Sequence, residues 1–333
     1  MNFKAVKASI TNFSLAVPSF IALLLFNVFI NELLVELERS PCGLRIGASK
    51  FNSLAYADDV NTFAANTSDL QKLVDICYLY SVKWRFSFGI KKTKFFIAGY
   101  QNVAINPCLK LGQVPISVTD TLEVLGKIYT RDGRSSTHIF ERMSKCRQAL
   151  FGIGFNNKEL CPAVKAHIWK SVGLSSLLYS VCTGPISPNE LQTLESFQGR
   201  MVKSSLYLGK YSRHSKILEA LNIDSVSKVI DSQRLNLLRR VFNAPPSTYS
   251  KLCAELISKF YTTKVIPKGT LVGDVINLGY SPINVSFSKK KFEIEKAAIV
   301  PDGILDSIKL VLKEHIRPNS ESCALLRGLT NPF

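Results

Sequence analysis

Phe51-Asn52-Ser53-Leu54-Ala55-Tyr56-Ala57-Asp58-Asp59-Val60-Asn61-Thr62-Phe63 is the stretch whose reading decides the fold. Apolar, β-favouring residues lead up to two adjacent aspartates, and a second short apolar run follows. That order predicts a strand, a tight turn and a returning strand, with Asp58 and Asp59 at the tip. Two neighbouring carboxylates repel, so a cation is their natural partner. Hard cations such as Mg²⁺ take oxygen ligands, commonly one or two carboxylates plus substrate phosphates. Asp-Asp is also an ordinary solvated turn. What sets this pair apart is the apolar Leu54-Ala55-Tyr56-Ala57 before it, where a solvent turn would have polar neighbours.

Outward from the hairpin, helical patterns flank it. Upstream, Phe13 to Ile30 is largely apolar, but Ser14, Pro18, Ser19 and Asn27 interrupt it, and its longest unbroken run is Phe20 to Phe26. A spanning helix needs about 20 mostly apolar residues, so no stable membrane insertion is expected. A polar stripe of Asn27, Asn31 and Glu38 predicts a helix buried on its other sides. Downstream, Thr67 or Ser68 can cap a helix, with Gln71 completing a capping box. Leu70, Leu73, Val74, Cys77 and Trp84 give that helix one apolar face. Val114 to Tyr129 reads as a strand pair with Asp120 and Thr121 at its turn. From Ser136 the pattern is helical, over Thr137 to Gly152, Leu160 to Val181, Pro188 to Leu208, Ser212 to Leu221 and Ser225 to Phe242. Most aromatics in these helices, Trp169 and Tyr179 among them, are expected in the core.

The chain has 333 residues, 46% hydrophobic, which excludes a disordered polypeptide. Its formal charge is +17, which points to a polyanionic partner. The excess is concentrated between Lys127 and Lys216, where 14 Lys/Arg face 5 Asp/Glu. Basic side chains there can track a phosphate backbone and aromatics can stack on bases. The eight cysteines form no Cys-x-x-Cys arm, and the reading is reduced thiols in an intracellular protein, nuclear or cytoplasmic. Pro245-Pro246 marks a boundary. Beyond it the pattern predicts helices over Thr248 to Phe260 and Asp302 to His315, with a solvated Lys289-Lys290-Lys291 between them.

Tyr56-Ala57-Asp58-Asp59 resembles the catalytic box of reverse transcriptases, and its flanks, from about Leu24 to about Leu221, are similar to the non-LTR (LINE-type) retrotransposon branch. Leu24 to Leu34 resembles the palm helix before the catalytic hairpin. Trp84 to Lys94 resembles the fourth palm motif, with Lys92-Thr93 matching its Lys-Thr and Gly89 standing where an asparagine is usual. Leu125-Gly126 resembles the hairpin that grips the primer strand. Leu177-Leu178-Tyr179 and Glu190 to Arg200 resemble the helical thumb. The family's Gln-Gly turn is replaced by Val17-Pro18, and no aspartate precedes Asp58.

The resemblance implies an α+β fold: a partial polymerase palm, an antiparallel sheet with packed helices, followed by a helical thumb. Its parts would be a palm over residues 1–110, a connecting β-hairpin over 111–135, a basic thumb over 136–244 and an unassigned region over 245–333. It implies RNA-directed DNA synthesis with two Mg²⁺ ions, Asp58 as the tip ligand facing both metals and Asp59 as its less critical neighbour, together with an aspartate from an upstream palm strand. Tyr56 would shape the nucleotide floor, and Lys92 would reach the phosphates of the incoming dNTP. RNA template with DNA primer, or an RNA/DNA duplex, would lie against Gly126, Arg142, Lys145 and Arg147. Because the upstream carboxylate is missing, and Glu32, Glu36 and Glu38 sit on a helix, the expectation is a truncated or degenerate fragment, inactive alone. A non-catalytic nucleic-acid-binding remnant and a membrane-anchored protein with a chance Tyr-Ala-Asp-Asp are the competing readings.

Overall fold

The computed structural model describes residues 3–11, 19–46, 49–99, 108–209, 211–243 and 273. Val17-Pro18, Pro245-Pro246, the helices expected beyond residue 247 and Lys289 to Lys291 lie outside them. The chain divides into two compact units, residues 1–149 with 179–181, and residues 150–178 with 182 onward.

The first unit is a mixed sheet with helices on one face. Its strands and helices run β1 (Phe3–Thr11), α1 (Ser19–Arg39), β2 (Leu44–Ile46), β3 (Ser49–Phe51), β4 (Ser53–Tyr56), β5 (Asp59–Ala64), α2 (Thr67–Lys83), β6 (Ser87–Phe88) and β7 (Lys94–Ala98). They continue with β8 (Lys110–Leu111), β9 (Val114–Pro115), β10 (Ser117–Thr119), β11 (Thr121–Val124), β12 (Lys127–Thr130) and α3 (Ser136–Gly152). The strand order is β10-β7-β1-β5-β4, with β6 pairing the end of β1. The α+β class holds, but the expected purely antiparallel sheet does not, because β10 runs parallel to β7. The other difference is β1, for which the sequence pattern predicts no strand and which is the central strand.

Alternation explains why β1 can be central. Val6, Ala8 and Ile10 point to the helix layer, where they meet Ile30, Leu33 and Leu37 of α1 and Leu70, Leu73, Val74 and Cys77 of α2. Ala5 points to the other face, with Phe96, Ala98 and Leu122. The small Ala5 and Ala8 let neighbours on both faces close over the strand. Tyr80 of α2 donates its hydroxyl hydrogen to the Phe29 carbonyl at 2.6 Å, which ties the two helices through a buried polar contact. The helix α2 is capped two residues earlier than the expected Ser68–Gln71 box. Asn66 is its cap and accepts from Asp69 N at 2.8 Å. Gln71 instead bridges to Asp75 and to the Lys110 backbone.

Asn52, 5% exposed, anchors the entry to the hairpin. Its side-chain amide donates to the Leu37 carbonyl and, at 3.3 Å, to the Cys42 carbonyl. Gly43 makes room for it: a Cβ there would stand 2.8 Å from Asn52 Cβ, and its φ of +144° suits glycine. Asn52→Ala strands two buried acceptors, so a loss of about 1–3 kcal/mol is expected in urea unfolding. An unchanged midpoint would contradict the anchoring.

The expected turn at Asp120 and Thr121 is also corrected. Asp120 separates β10 from β11, and the hairpin turns at Leu125-Gly126, closed by the pair Val124 and Lys127. Both turn residues have positive φ, 51° and 76°, as a two-residue type I′ loop requires.

The second unit is helical: α4 (Pro162–Ile168), a π turn (Trp169–Gly173), α5 (Leu174–Leu178), α6 (Pro188–Ser205), α7 (His214–Ala220) and α8 (Val226–Asn243). The single helix expected from Leu160 to Val181 is therefore α4 and α5 joined by a π turn. Gly173 permits that turn, since a Cβ would come 2.7 Å from the Trp169 ring. Trp169 is fully buried as expected, tilted against Phe155 at 6.3 Å. Ser187 and Glu190 cap α6 reciprocally, with Pro188 in its first turn. Among the described residues no helix is long and apolar enough to cross a membrane.

Candidate functional site

The hairpin of β4 and β5 places Asp58 and Asp59 at its tip, as the residue pattern predicts. Tyr56 pairs with Asp59, leaving Ala57-Asp58 as a two-residue loop. Ala57 has a φ of 49°, so the loop carries backbone strain at its first position. Tyr56 and Asp58 are exposed, while Asp59 is half-buried at the start of β5.

What surrounds Asp59 comes from β1. The strands pair Ser9 with Asp59 and Lys7 with Asn61, so by alternation these four share the face away from the helices. Ser9 donates its hydroxyl hydrogen to Asp59 Oδ1. Lys7 Nζ lies 2.9 Å from Asp59 Oδ2 and donates to the Glu123 carbonyl at 3.0 Å. Across β1 from Lys7 stands Lys94 of β7, whose ammonium reaches Ser117 Oγ at 3.2 Å. Asn61, 1% exposed, donates to the Leu54 carbonyl, and its Oδ1 has no partner among the described residues. The same end of β1 holds the tip by its backbone, since Ile10 N donates to the Asp58 carbonyl at 2.9 Å.

Lys92 lies on the turn that follows β6. Gly89 N, at the base of that turn, donates to the Ser9 carbonyl at 2.8 Å, so Ser9 joins the Lys92 turn to the aspartate tip. Lys92 itself is exposed. Among the described residues no group of three or more His, Cys, Asp or Glu side chains gathers where a metal ion could sit. Glu32 lies on α1, as expected, and pairs with Lys83 of α2 at 3.1 Å.

Gly126 belongs to a second cluster. Tyr179 closes over it: a Cβ on Gly126 would lie 3.2 Å from the Tyr179 ring, and the Tyr179 hydroxyl donates to the Leu125 carbonyl at 2.9 Å. Tyr179 is therefore 47% exposed and not a core residue, which corrects the expectation. The Arg142 guanidinium stacks on its ring at 5.0 Å. Lys145 is paired with Glu141 at 3.3 Å.

Arg142, Lys145 and Arg147 do not form one patch. The helix α3 buries Ile139, Met143, Cys146 and Leu150. At 3.6 residues per turn, Arg142 and Lys145 lie on one flank of that stripe, and Arg147 about 140° from Arg142 on the other.

His138, 1% exposed, ties this cluster together. Its Nδ1 accepts from Ile128 N at 3.4 Å and its Nε2 meets the Tyr179 carbonyl at 3.0 Å. Those partners require the neutral ring with its proton on Nε2. Burial holds its pKa below the ordinary value, with Lys127, Arg142 and Lys145 adding to the effect, against an upward pull from the Tyr179 carbonyl. The unfolded chain thus binds a proton that the folded chain resists. Stability from this group is complete above the unfolded value near 6.5 and is lost as pH falls from there through the lowered folded value. Urea melts at pH 7.5 and 5.5 should show a larger acid loss for the native chain than for His138→Gln, and equal losses would contradict this.

Lys7, Ser9 and Asn61 were missed by sequence reasoning. The signal available was the alternation of Val6, Ala8 and Ile10 with Lys7 and Ser9 between them. No protein-family description and no curated protein matches this chain.

Proposed function

We propose that the chain is a reverse-transcriptase-type domain of the non-LTR retrotransposon kind whose carboxylate set is incomplete within this chain, and that it binds nucleic acid without polymerising it. The observation that supports this best is the aspartate pair at a β-hairpin tip, on a sheet backed by α1 and α2, with a further strand beside β5. In this reading that sheet and its helices are the palm, β11 and β12 the connecting hairpin, and the helices from α3 onward the thumb. Tyr56 and Lys92 would face the nucleotide, and Gly126, Arg142 and Lys145 the template–primer duplex.

Mg²⁺ does not fit the residues present. The strand from which the family supplies its other aspartate has Lys7 and Ser9 beside Asp59, and an ammonium opposes a divalent ion where a carboxylate would bridge to it. That observation favours nucleic-acid binding over chemistry. Fluorescence anisotropy with an RNA/DNA heteroduplex and with single-stranded RNA tests the reading. Saturable binding at low salt is the expected result, and no binding to either would overturn it.

A further inference from the structure

We infer that Lys7 is the resident cation of Asp59 at the hairpin tip, an ammonium that occupies the position a divalent metal bound to that carboxylate would need. Three observations carry this. The Lys7 ammonium bonds two oxygens at once, Asp59 Oδ2 at 2.9 Å and the Glu123 carbonyl at 3.0 Å. The second oxygen of the same carboxylate is taken by the Ser9 hydroxyl, so both Asp59 oxygens are engaged by β1. The cross-strand partner of Lys7 is Asn61, whose buried Oδ1 is without a partner among the described residues, so a further oxygen donor suited to a hard cation is left on the same face of the sheet.

The arrangement is thus an oxygen-lined cation position satisfied by the chain itself. A metal bound to Asp59 in this position would have to displace the Lys7 ammonium. Replacing the ammonium by a carboxylate reverses the situation. Lys7→Glu would set a third oxygen ligand beside Asp59 and Asn61, and the charge crowding it creates would be relieved by Mn²⁺ or Mg²⁺. The inference rests on this geometry and not on the reverse-transcriptase reading, so it can fail while nucleic-acid binding stands.

The test is Mn²⁺ binding to the full chain by electron paramagnetic resonance, with thermal melts in Mg²⁺ alongside. The native chain should show no saturable Mn²⁺ uptake below the millimolar range and no Mg²⁺-dependent shift in Tm. Lys7→Glu should bind Mn²⁺ about 10–100-fold more tightly, the range that a supporting partner is worth at a metal site. Adding Asp59→Asn to Lys7→Glu should abolish the gain. Lys7→Met removes the charge and keeps the apolar stem, so it guards against a Lys7→Glu chain that does not fold, and it should bind Mn²⁺ more tightly than the native chain. Micromolar Mn²⁺ binding by the native chain that Asp59→Asn removes would overturn the inference. So would a folded Lys7→Met whose Mn²⁺ affinity equals that of the native chain.

Discussion

Primer extension on an RNA template with Mg²⁺ is expected to give no product from this chain alone, although Asp58 and Asp59 are both present. In-line phosphoryl transfer depends on two cations about 4 Å apart, clamping the attacking and leaving oxygens between bridging carboxylates. Here the strand beside the tip offers an ammonium, 2.9 Å from Asp59. A unit positive charge about 4 Å from a divalent ion repels it by ~8 kcal/mol at an effective dielectric of 20, twice the value for two unit charges. That exceeds the ~3–4 kcal/mol usually lost with one charge-stabilising group, itself a factor of ~10²–10³ in rate. Activity should therefore fall below detection. Extension by the native chain that disappears in Asp58→Ala would show that another carboxylate completes the site.

Nucleic-acid affinity is expected to collapse with salt. If about six phosphates are neutralised, binding should weaken about a thousandfold between 50 and 200 mM salt. The basic stretch from Lys127 to Lys216, 14 Lys/Arg against 5 Asp/Glu, supplies enough cations for that. The helix α3 divides them by direction. Arg142→Glu with Lys145→Glu should lower the logarithmic salt slope by about 2, one per lost phosphate contact. Arg147→Glu, on the opposite flank of the helix, should change it by less than half as much if the bound strand follows Gly126 and Tyr179. None of these changes should alter sequence preference, because phosphate contacts carry none. Equal affinity at both salt concentrations would point to a different kind of partner.

The hairpin and the helices were legible because their signals are local. Two aspartates after Leu54-Ala55-Tyr56-Ala57 leave little choice but a tip. The 3.6-residue spacing of Leu70, Leu73, Val74 and Cys77 marks the face that α2 does bury. Ser187, Pro188 and Glu190 announce the start of α6. The rest depended on distant partners. β1 carries Lys4, Lys7, Ser9 and Thr11 among small apolar residues, which reads as a polar lead-in until β5 and β7 are set on its two sides. Its lysines are tolerated in a central strand only because Asp59, the Glu123 carbonyl and Thr67 receive them. The turn at Leu125-Gly126 was hidden by Asp120-Thr121, which has better turn chemistry, and Leu125 adopts positive φ against its own preference. Tyr179 looked like a core aromatic because the expected helix ran through it to Val181, but α5 ends at Leu178 and Tyr179 stands in the turn beyond.

If the proposed reading is right, an upstream carboxylate supplied in the form that LINE-type reverse transcriptases carry it should make the hairpin active. The aspartate-bearing palm and fingers of a LINE-type reverse transcriptase would be joined before Ser19, replacing residues 1–18 and with them Lys7 and Ser9. Extension of a primer on an RNA template with Mg²⁺ is then measured for this fusion and for the same fusion carrying Asp58→Ala. Extension by the fusion and none by the Asp58→Ala form is the expected result. A fusion that folds and binds the RNA/DNA duplex but extends no primer would contradict it, because the Tyr56 to Asp59 hairpin would then not be half of a polymerase site.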